Sequence, residues 1–249
     1  MRDPIYKRRP VEPNPATFGG QRINDFIVLS EAFSNCYLLE TDDGNIQVNA
    51  GMGIEAPVIR QNFADFSQGA LRYLILTQGH VDHVGGVAHF RKHFPDVQVV
   101  AQEDNPEHQA YDARLATFRA NRSAFAFTEK FASAFEDYAS HGYTEFPEQD
   151  VPVPDILVEN SFIFTLGGLN VEVIAVPGAE TNDSLIVWLP QHRICLTGNL
   201  FGCPFGHFPN LVTIRGDRYR DALTVASAVQ TVLDLKPDTI LYGHHGPVE

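Results

Sequence analysis

The 249-residue chain is poor in cysteine, in positive charge and in long apolar runs. Its three cysteines, Cys36, Cys195 and Cys203, are odd in number and form no CxxC pair. They read as reduced thiols rather than a disulfide framework, which points to the cytoplasm. Lysine and arginine total 18 against 31 aspartates and glutamates, a formal charge of −13. Duplex binding relies on cationic neutralisation of phosphate, so nucleic acid is not an expected partner. No stretch approaches the roughly 20 apolar residues of a membrane span, so no membrane partner is expected either. Arg2, Lys7, Arg8 and Arg9 are not followed by the apolar segment of a secretory signal. No Ser-His-Asp order and no nucleophile elbow is visible, which argues against a covalent route.

What remains describes an ordinary globular protein, 44% hydrophobic and 20% charged. The length suits one large α/β or sandwich domain that buries a core without covalent staples. Residues 1–20, rich in proline and basic side chains, read as an arm over the surface or toward a partner subunit, and residues 21–249 as a single domain. Strand-like runs follow at Ile23–Leu29, Cys36–Glu40 and Ile46–Asn49, separated by turn residues. A helix is expected over Ile54–Phe66, a buried strand over Leu71–Leu76, a helix over Val84–Phe94 and a strand over Val97–Ala101. Gln102–Ser140 is the longest helical stretch. Its Leu115, Phe118, Phe125, Phe127, Phe131 and Phe135 suggest core, a subunit interface or the wall of an apolar pocket. The second half repeats the order, with strands at Phe162–Thr165, Val171–Val176, Leu185–Leu189 and Arg193–Leu196, a helix over Asp217–Leu235 and a strand at Thr239–Tyr242. Two sheets packed face to face with helices outside would bury all of these faces at once.

The densest chemistry is Thr77-Gln78-Gly79-His80-Val81-Asp82-His83-Val84-Gly85-Gly86, on the turn between a strand end and a helix start. α/β proteins place ligand sites at such turns, and imidazoles beside a carboxylate suit a divalent metal. Alternatively, Asp82 caps the helix and the histidines lie on the surface. Three later strand ends also deliver polar groups: Pro177-Gly178-Ala179-Glu180-Thr181, Thr197-Gly198-Asn199 and Gly243-His244-His245-Gly246-Pro247. Four such loops are far less expected by accident than one.

These loops, in this order, resemble the metallo-β-lactamase superfamily, whose signature is a T-H-x-H-x-D-H loop followed by P-G-H-T-type, T-G-D and G-H-G-P loops. The likeness runs from Asn35-Cys36-Tyr37-Leu38-Leu39-Glu40 to His244 and implies an αββα four-layer sandwich. Within it the sequence is most similar to the alkylsulfatase branch, which has glutamate in the second loop, as at Glu180, and an N-L-x-T-L-R-G-x-x-x-R-D run like Asn210–Asp221 here. The branch also carries a doubled histidine near its end, as at His244-His245. The resemblance implies a metal-dependent hydrolase of a small anionic, sulfate-like ester, without the downstream domains of that branch. Arg215, Asn210 and His207 are then candidates for substrate binding. A guanidinium fork suits a tetrahedral oxyanion, although a helix-start salt bridge also accounts for Arg215.

Two departures matter. Gln78 stands where the family has its first histidine, and Asn199 where it has a carboxylate. Residue by residue, the resemblance puts His80 and Glu180 on one cation, with Gln78 as a weak third ligand, and Asp82, His83 and His244 on another. Asp82 is also the candidate catalytic residue, ligating and orienting. Asn199 and His245 stand in reserve. Two cations need negative ligands to offset their repulsion, and one carboxylate is gone. The expectation is one tight zinc site, with manganese or iron as alternatives and the second position weak or empty. A bound cation would bring the pKa of water from about 16 toward about 7. A lactone, thioester or carboxylic-ester hydrolase, or a non-catalytic binding subunit with a degenerate site, are the other readings, and a homo-oligomer through the arm or the phenylalanine-rich region is the partner expectation. His89, His93, His108, His141 and His192 read as surface histidines.

Overall fold

The computed structural model describes residues 14–123, 125, 127–201 and 218–244. Seven strands lie side by side in chain order: β1 (Gln21–Arg22), β2 (Ile27–Ser30), β3 (Cys36–Thr41), β4 (Gly44–Val48), β5 (Leu71–Ile75), β6 (Gln98–Gln102) and β7 (Ile156–Val158). The pairs from β1 to β4 are antiparallel and those from β4 to β7 parallel. Parallel neighbours need crossovers. These carry α1 (Ala56–Ala64), then α2 (Val81–Val84) and α3 (Val87–His93), then α4 (Asn105–Ser123) and α5 (Thr128–Ser140). The second sheet holds β8 (Ser161–Leu166), β9 (Leu169–Ala175), β10 (Leu185–Leu189), β11 (Ile194–Gly198) and β12 (Thr239–Tyr242), with α6 (Ala222–Leu235) between the last two.

Alternation along the strands sorts side chains into layers. Leu29, Tyr37, Leu39, Ile46, Val48 and Ile75 of the first sheet meet Val171, Val173, Leu185, Val187 and Leu196 of the second. The intervening Val28, Leu38, Leu74 and Val99 face outward, onto Val58, Ile59 and Phe63 of α1, Val87 and Phe90 of α3, and Ala134 and Tyr138 of α5. Ile186, Trp188 and Cys195 pack under Ala228 and Val232 of α6. The result is the αββα sandwich that the sequence implied. Cys36 and Cys195 are buried free thiols. Among the described residues no helix is long and apolar enough to cross a membrane.

Several expectations need correction. Val84–Phe94 is not one helix: Gly85 and Gly86 separate α2 from α3. A Cβ on Gly86 would stand 2.2 Å from the Ala50 carbonyl oxygen, so the backbone runs against the β4 exit and the helix restarts. Gln102–Ser140 likewise divides into α4 and α5. The three-residue edge strand β7, too short to show a period, follows the proline-containing stretch 151–155. Phe118, Phe125 and Phe135 are 45%, 76% and 38% exposed, so they are not core of this chain. Further along the run Phe127 and Phe131 do pack inward, against Phe33. His108 is buried rather than superficial.

The described end of the N-terminal arm is tied down. Ala16 N–H donates to Glu55 Oε1 at 2.8 Å and its carbonyl accepts from Tyr138 Oη at 2.9 Å. Glu55, in a 3₁₀ turn before α1, also accepts from Phe33 N–H and Met52 N–H, both at 2.9 Å. Burial lifts its carboxyl pKa to about 7, against those hydrogen bonds, which favour the ionised form.

Candidate metal centre

The exits of β4, β5, β11 and β12 converge at one edge. β5 hands over to Thr77, whose carbonyl accepts from Leu185 N–H at 2.8 Å and so joins the two sheets. Asn49, just past β4, sits at φ 64°, a left-handed conformation that asparagine tolerates. This turns its side-chain oxygen to accept from Thr77 N–H at 3.0 Å and Thr77 Oγ1–H at 2.9 Å. Gly198, at φ 52°, lies against Thr77, and a Cβ there would be 2.8 Å from the threonine hydroxyl. The β12 exit is pinned by Asn35 and Tyr37, whose Nδ2 and Oη donate to the Tyr242 carbonyl at 3.1 and 2.7 Å.

This convergence assembles a cluster. Asp82, His83 and His244 bring one possible ligand atom each within 4.8 Å of one another. Asp82 Oδ2 is 3.8 Å from His83 Nε2 and 3.5 Å from His244 Nε2. Ligand atoms about 2.1 Å from a tetrahedral ion stand roughly 3.4 Å apart, so the two Asp82 separations fit a small divalent cation after a shift of tenths of an ångström, and the two imidazoles would close on it by up to roughly an ångström more. The donor set, two imidazoles and a carboxylate, is also that of sites which leave coordination positions open.

The tautomer of His83 follows from its neighbours. The Thr77 hydroxyl spends its proton on Asn49, so at 3.1 Å from His83 Nδ1 it can only accept. Nδ1 therefore carries the proton, and Nε2 turns a lone pair toward Asp82 and His244. Burial lowers the pKa of this fully buried ring, with Asp82 opposing, and favours the neutral, ligating form. Gln78 Nε2 and Asn199 Nδ2 stand 3.3 and 3.2 Å from the same Nε2. Turned by 180°, either amide would present oxygen there.

His80 and Glu180 do not join the cluster. His80 Nδ1 is 2.7 Å from Gln78 Nε2, and its ring centroid lies 5.3 Å from that of His108. Glu180 Oε1 is 2.8 Å from Arg220 Nη2, with both side chains buried, and Arg220 Nε also donates to the Glu180 carbonyl. The position expected for a second cation thus holds an amide, an imidazole and a carboxylate already engaged by a guanidinium. Beneath His80, His108 Nδ1 is 3.1 Å from Asn182 Oδ1, and Asp183 accepts from Asn105 Nδ2 at 2.7 Å and Thr181 Oγ1 at 2.6 Å. Gly79 permits that approach, since a Cβ would be 2.7 Å from the His108 ring.

Arg215, Asn210, His207 and His245 lie outside the described residues. Sequence reasoning missed Thr77 and Asn49 as partners of His83, Arg220 as partner of Glu180, and the layer around His108 and Asp183. Arg220 had a signal, the second arginine of the R-G-x-x-x-R-D run. Asn105 and Asp183 had none, being 78 positions apart.

An αββα sandwich with a histidine and aspartate cluster at the strand exits defines the class. The Metallo-beta-lactamase superfamily profile matches residues 29–244, and the chain belongs to that superfamily. It is similar to the linear primary-alkylsulfatase of Pseudomonas sp. (strain ATCC 19151), 22% identical over 222 residues that make up 85% of this chain and 41% of that protein. It is also similar to the hydroxyacylglutathione hydrolase of Yersinia enterocolitica serotype O:8 / biotype 1B (strain NCTC 13174 / 8081), 29% identical over 167 residues, 66% of this chain and 47% of that one. The chain thus spans less than half the length of these relatives. Among solved structures, the sec-alkylsulfatase Pisa1 from Pseudomonas sp. superposes with a TM-score of 0.71 at 18% identity, covering 93% of this chain and 39% of that one. A metallo-beta-lactamase from Pontibacter korlensis gives 0.60 at 16% identity, covering 94% of both chains. These structural likenesses carry the fold.

Proposed function

We propose that the protein is a metal-dependent hydrolase that holds one divalent cation on Asp82, His83 and His244 and cleaves a small anionic ester of the sulfate-ester kind. The observation that carries this reading is the approach of the three ligand atoms to within 4.8 Å. A divalent ion there supplies Lewis-acid chemistry, making water a competent nucleophile near neutral pH and polarising the ester.

The chain's own groups do the rest. Asp82 ligates and orients. Thr77 and Asn49 hold the His83 proton on Nδ1 and keep Nε2 available, the kind of outer support that fixes a ligand's orientation. Gln78 and Asn199 line the same place as neutral amides. With a single carboxylate in the cluster, a divalent cation leaves the site net positive, which favours an anionic ester over a neutral one. Similarity to alkylsulfatases supports the same substrate class. Zinc fits the donors, and manganese or iron are the alternatives. A second reading, thioester hydrolysis, is favoured by the similarity to hydroxyacylglutathione hydrolase.

The test is metal analysis of protein prepared without chelators, followed by a panel of alkyl sulfates, thioesters and carboxylic esters with zinc, manganese and iron restored separately. About one equivalent of metal and turnover confined to sulfate esters is expected. Turnover of thioesters alone moves the substrate, and less than about a tenth of an equivalent of metal removes the hydrolase reading.

A further inference from the structure

The outer face of the first sheet holds a second concavity, under α1 and α3. It is a cavity of about 210 Å³ between α1 and α3, bounded by Asn45 and Gln47 of β4 and by Gly69 and Leu71 near the start of β5. Its floor is apolar, with Phe63 and Phe90 fully or nearly fully buried. Its polar lining includes Ser67 and Asn45, and its charged or titratable side chains are Arg60 and His93. Among the described residues no carboxylate lines it.

Arg60 is the unusual member. Among the described residues its guanidinium makes no hydrogen bond or ion pair, and its Nε is buried without a partner. A buried donor left unpaired costs free energy, the more so in a charged group. His89 and His93, with ring centroids 4.6 Å apart, face the same side. The His89 pKa is pushed down to about 4 by burial, then by His93, Arg60 and Lys92. The His93 pKa is lowered by burial, Arg60 and Lys92. The nearby Asp65 has its Oδ1 held by Gln61 Nε2 at 2.8 Å. In a chain of net charge −13, an arginine that forms no ion pair among the described residues and lies over an apolar floor is a feature to be explained.

We infer that this cavity binds a small amphipathic monocarboxylate, its carboxylate on the Arg60 fork and its apolar body on Phe63 and Phe90. The guanidinium offers paired, parallel donors that match a carboxylate. The volume exceeds the roughly 150 Å³ that accommodates a benzene ring, which leaves room for a ring plus a carboxylate. The site is separate from the metal cluster, because none of Asp82, His83 and His244 is among its lining residues and it lies under α1 and α3 on the outer face of the sheet.

The test uses benzoate as probe on the full-length, metal-loaded protein, with benzyl alcohol and inorganic phosphate as controls. Calorimetry gives the affinity and amide shifts locate the contact. Saturable benzoate binding is expected, with shifts concentrated in residues 60–71 and 90–94. Benzyl alcohol and phosphate should each bind at least about tenfold more weakly, since losing one charge-assisted pair or the apolar contact costs that much. Arg60→Gln should weaken benzoate by at least about tenfold, and Ala64→Phe, which fills the cavity from α1, should abolish binding. Absence of saturation up to about 10 mM overturns the inference. So does benzoate binding that both variants leave unchanged, or that a chelator removes, which would place the carboxylate on the metal cluster.

Discussion

Replacing Thr77 by valine tests the link between the hydrogen-bond network and the cluster. The hydroxyl is the sole acceptor for the His83 Nδ1 proton among the described residues, and both side chains are buried. Without it, the imidazole either keeps a buried N–H unpaired, at about 1–3 kcal/mol, or moves its proton to Nε2. The second course removes the lone pair that faces Asp82 and His244. Either way the cation binds less well, and losses at such outer partners are typically 10- to 100-fold, or about 1.4–2.7 kcal/mol. Thr77→Ser keeps the hydroxyl and should stay within a few-fold of the parent. The measurement is a chelator-competition titration giving the metal Kd of all three proteins, with thermal unfolding of the metal-free forms alongside. A folded Thr77→Val protein that binds metal within about threefold of the parent would refute the tautomer argument.

Three further outcomes follow from the same structure. Arg220→Met should cost about 3–5 kcal/mol by leaving Glu180 buried without its guanidinium, roughly 6–20 °C in Tm for a chain of this size. The Glu180→Met/Arg220→Met double variant should recover most of that loss in chemical denaturation, and equal losses in both would show that the pair is not the cause. The carboxyl carbon of Glu55 should titrate near pH 7 instead of 4.5. Because the folded-state pKa lies above the unfolded one, Glu55 has no effect below pH 4.5. Its contribution then lowers stability by about 3 kcal/mol as pH rises to 7, and is level beyond that. A titration midpoint below pH 5.5 would rule this out. Gly243→Ala would place a Cβ 2.2 Å from Asn199 Oδ1. It should destabilise the protein by about 1–3 kcal/mol and weaken metal binding, and an unchanged Tm and Kd would show that the β12 exit can shift freely.

Much of the fold was legible because its central strands are short apolar runs bounded by turn residues. Leu185–Leu189 and Thr239–Tyr242 end where the sequence puts them. What escaped was decided at a distance. The break at Gly85-Gly86 depends on the Ala50 carbonyl, more than thirty positions away, and no local periodicity reports that. His108 was misplaced because α4, polar over most of its length, gives no sign that its first turn docks on Asn182 and Asp183. The phenylalanine spacing leaves core, subunit interface and pocket wall open, and the exposure of Phe118 and Phe125 on this chain excludes only the first. The candidate site was legible as four loops. The support behind His83 was not, because Asn49 in a strand exit looks like any turn asparagine until its positive φ aims it at Thr77.

The charges of the site explain why the two departures from the family pattern belong together. A position left with Gln78 and His80 lacks the anionic ligands that two neighbouring cations require. Glu180 alone would then be a buried carboxylate without a counter-ion, which proteins avoid. Arg220 supplies that counter-ion from the chain itself, at the point where the segment leading into α6 passes the loop after β9. Asn199 removes a further negative charge from beside His83, and no second cation is needed there to balance it. The glutamate and the second arginine that the sequence shares with the alkylsulfatase branch thus form a buried pair, and together with the two neutral amides they support the proposed one-cation reading, in which the guanidinium offsets the charge of Glu180. Restoring a histidine at position 78 alone would leave Arg220 in place, so in this reading the number of cations is set by the pair on Glu180 as much as by the ligands themselves.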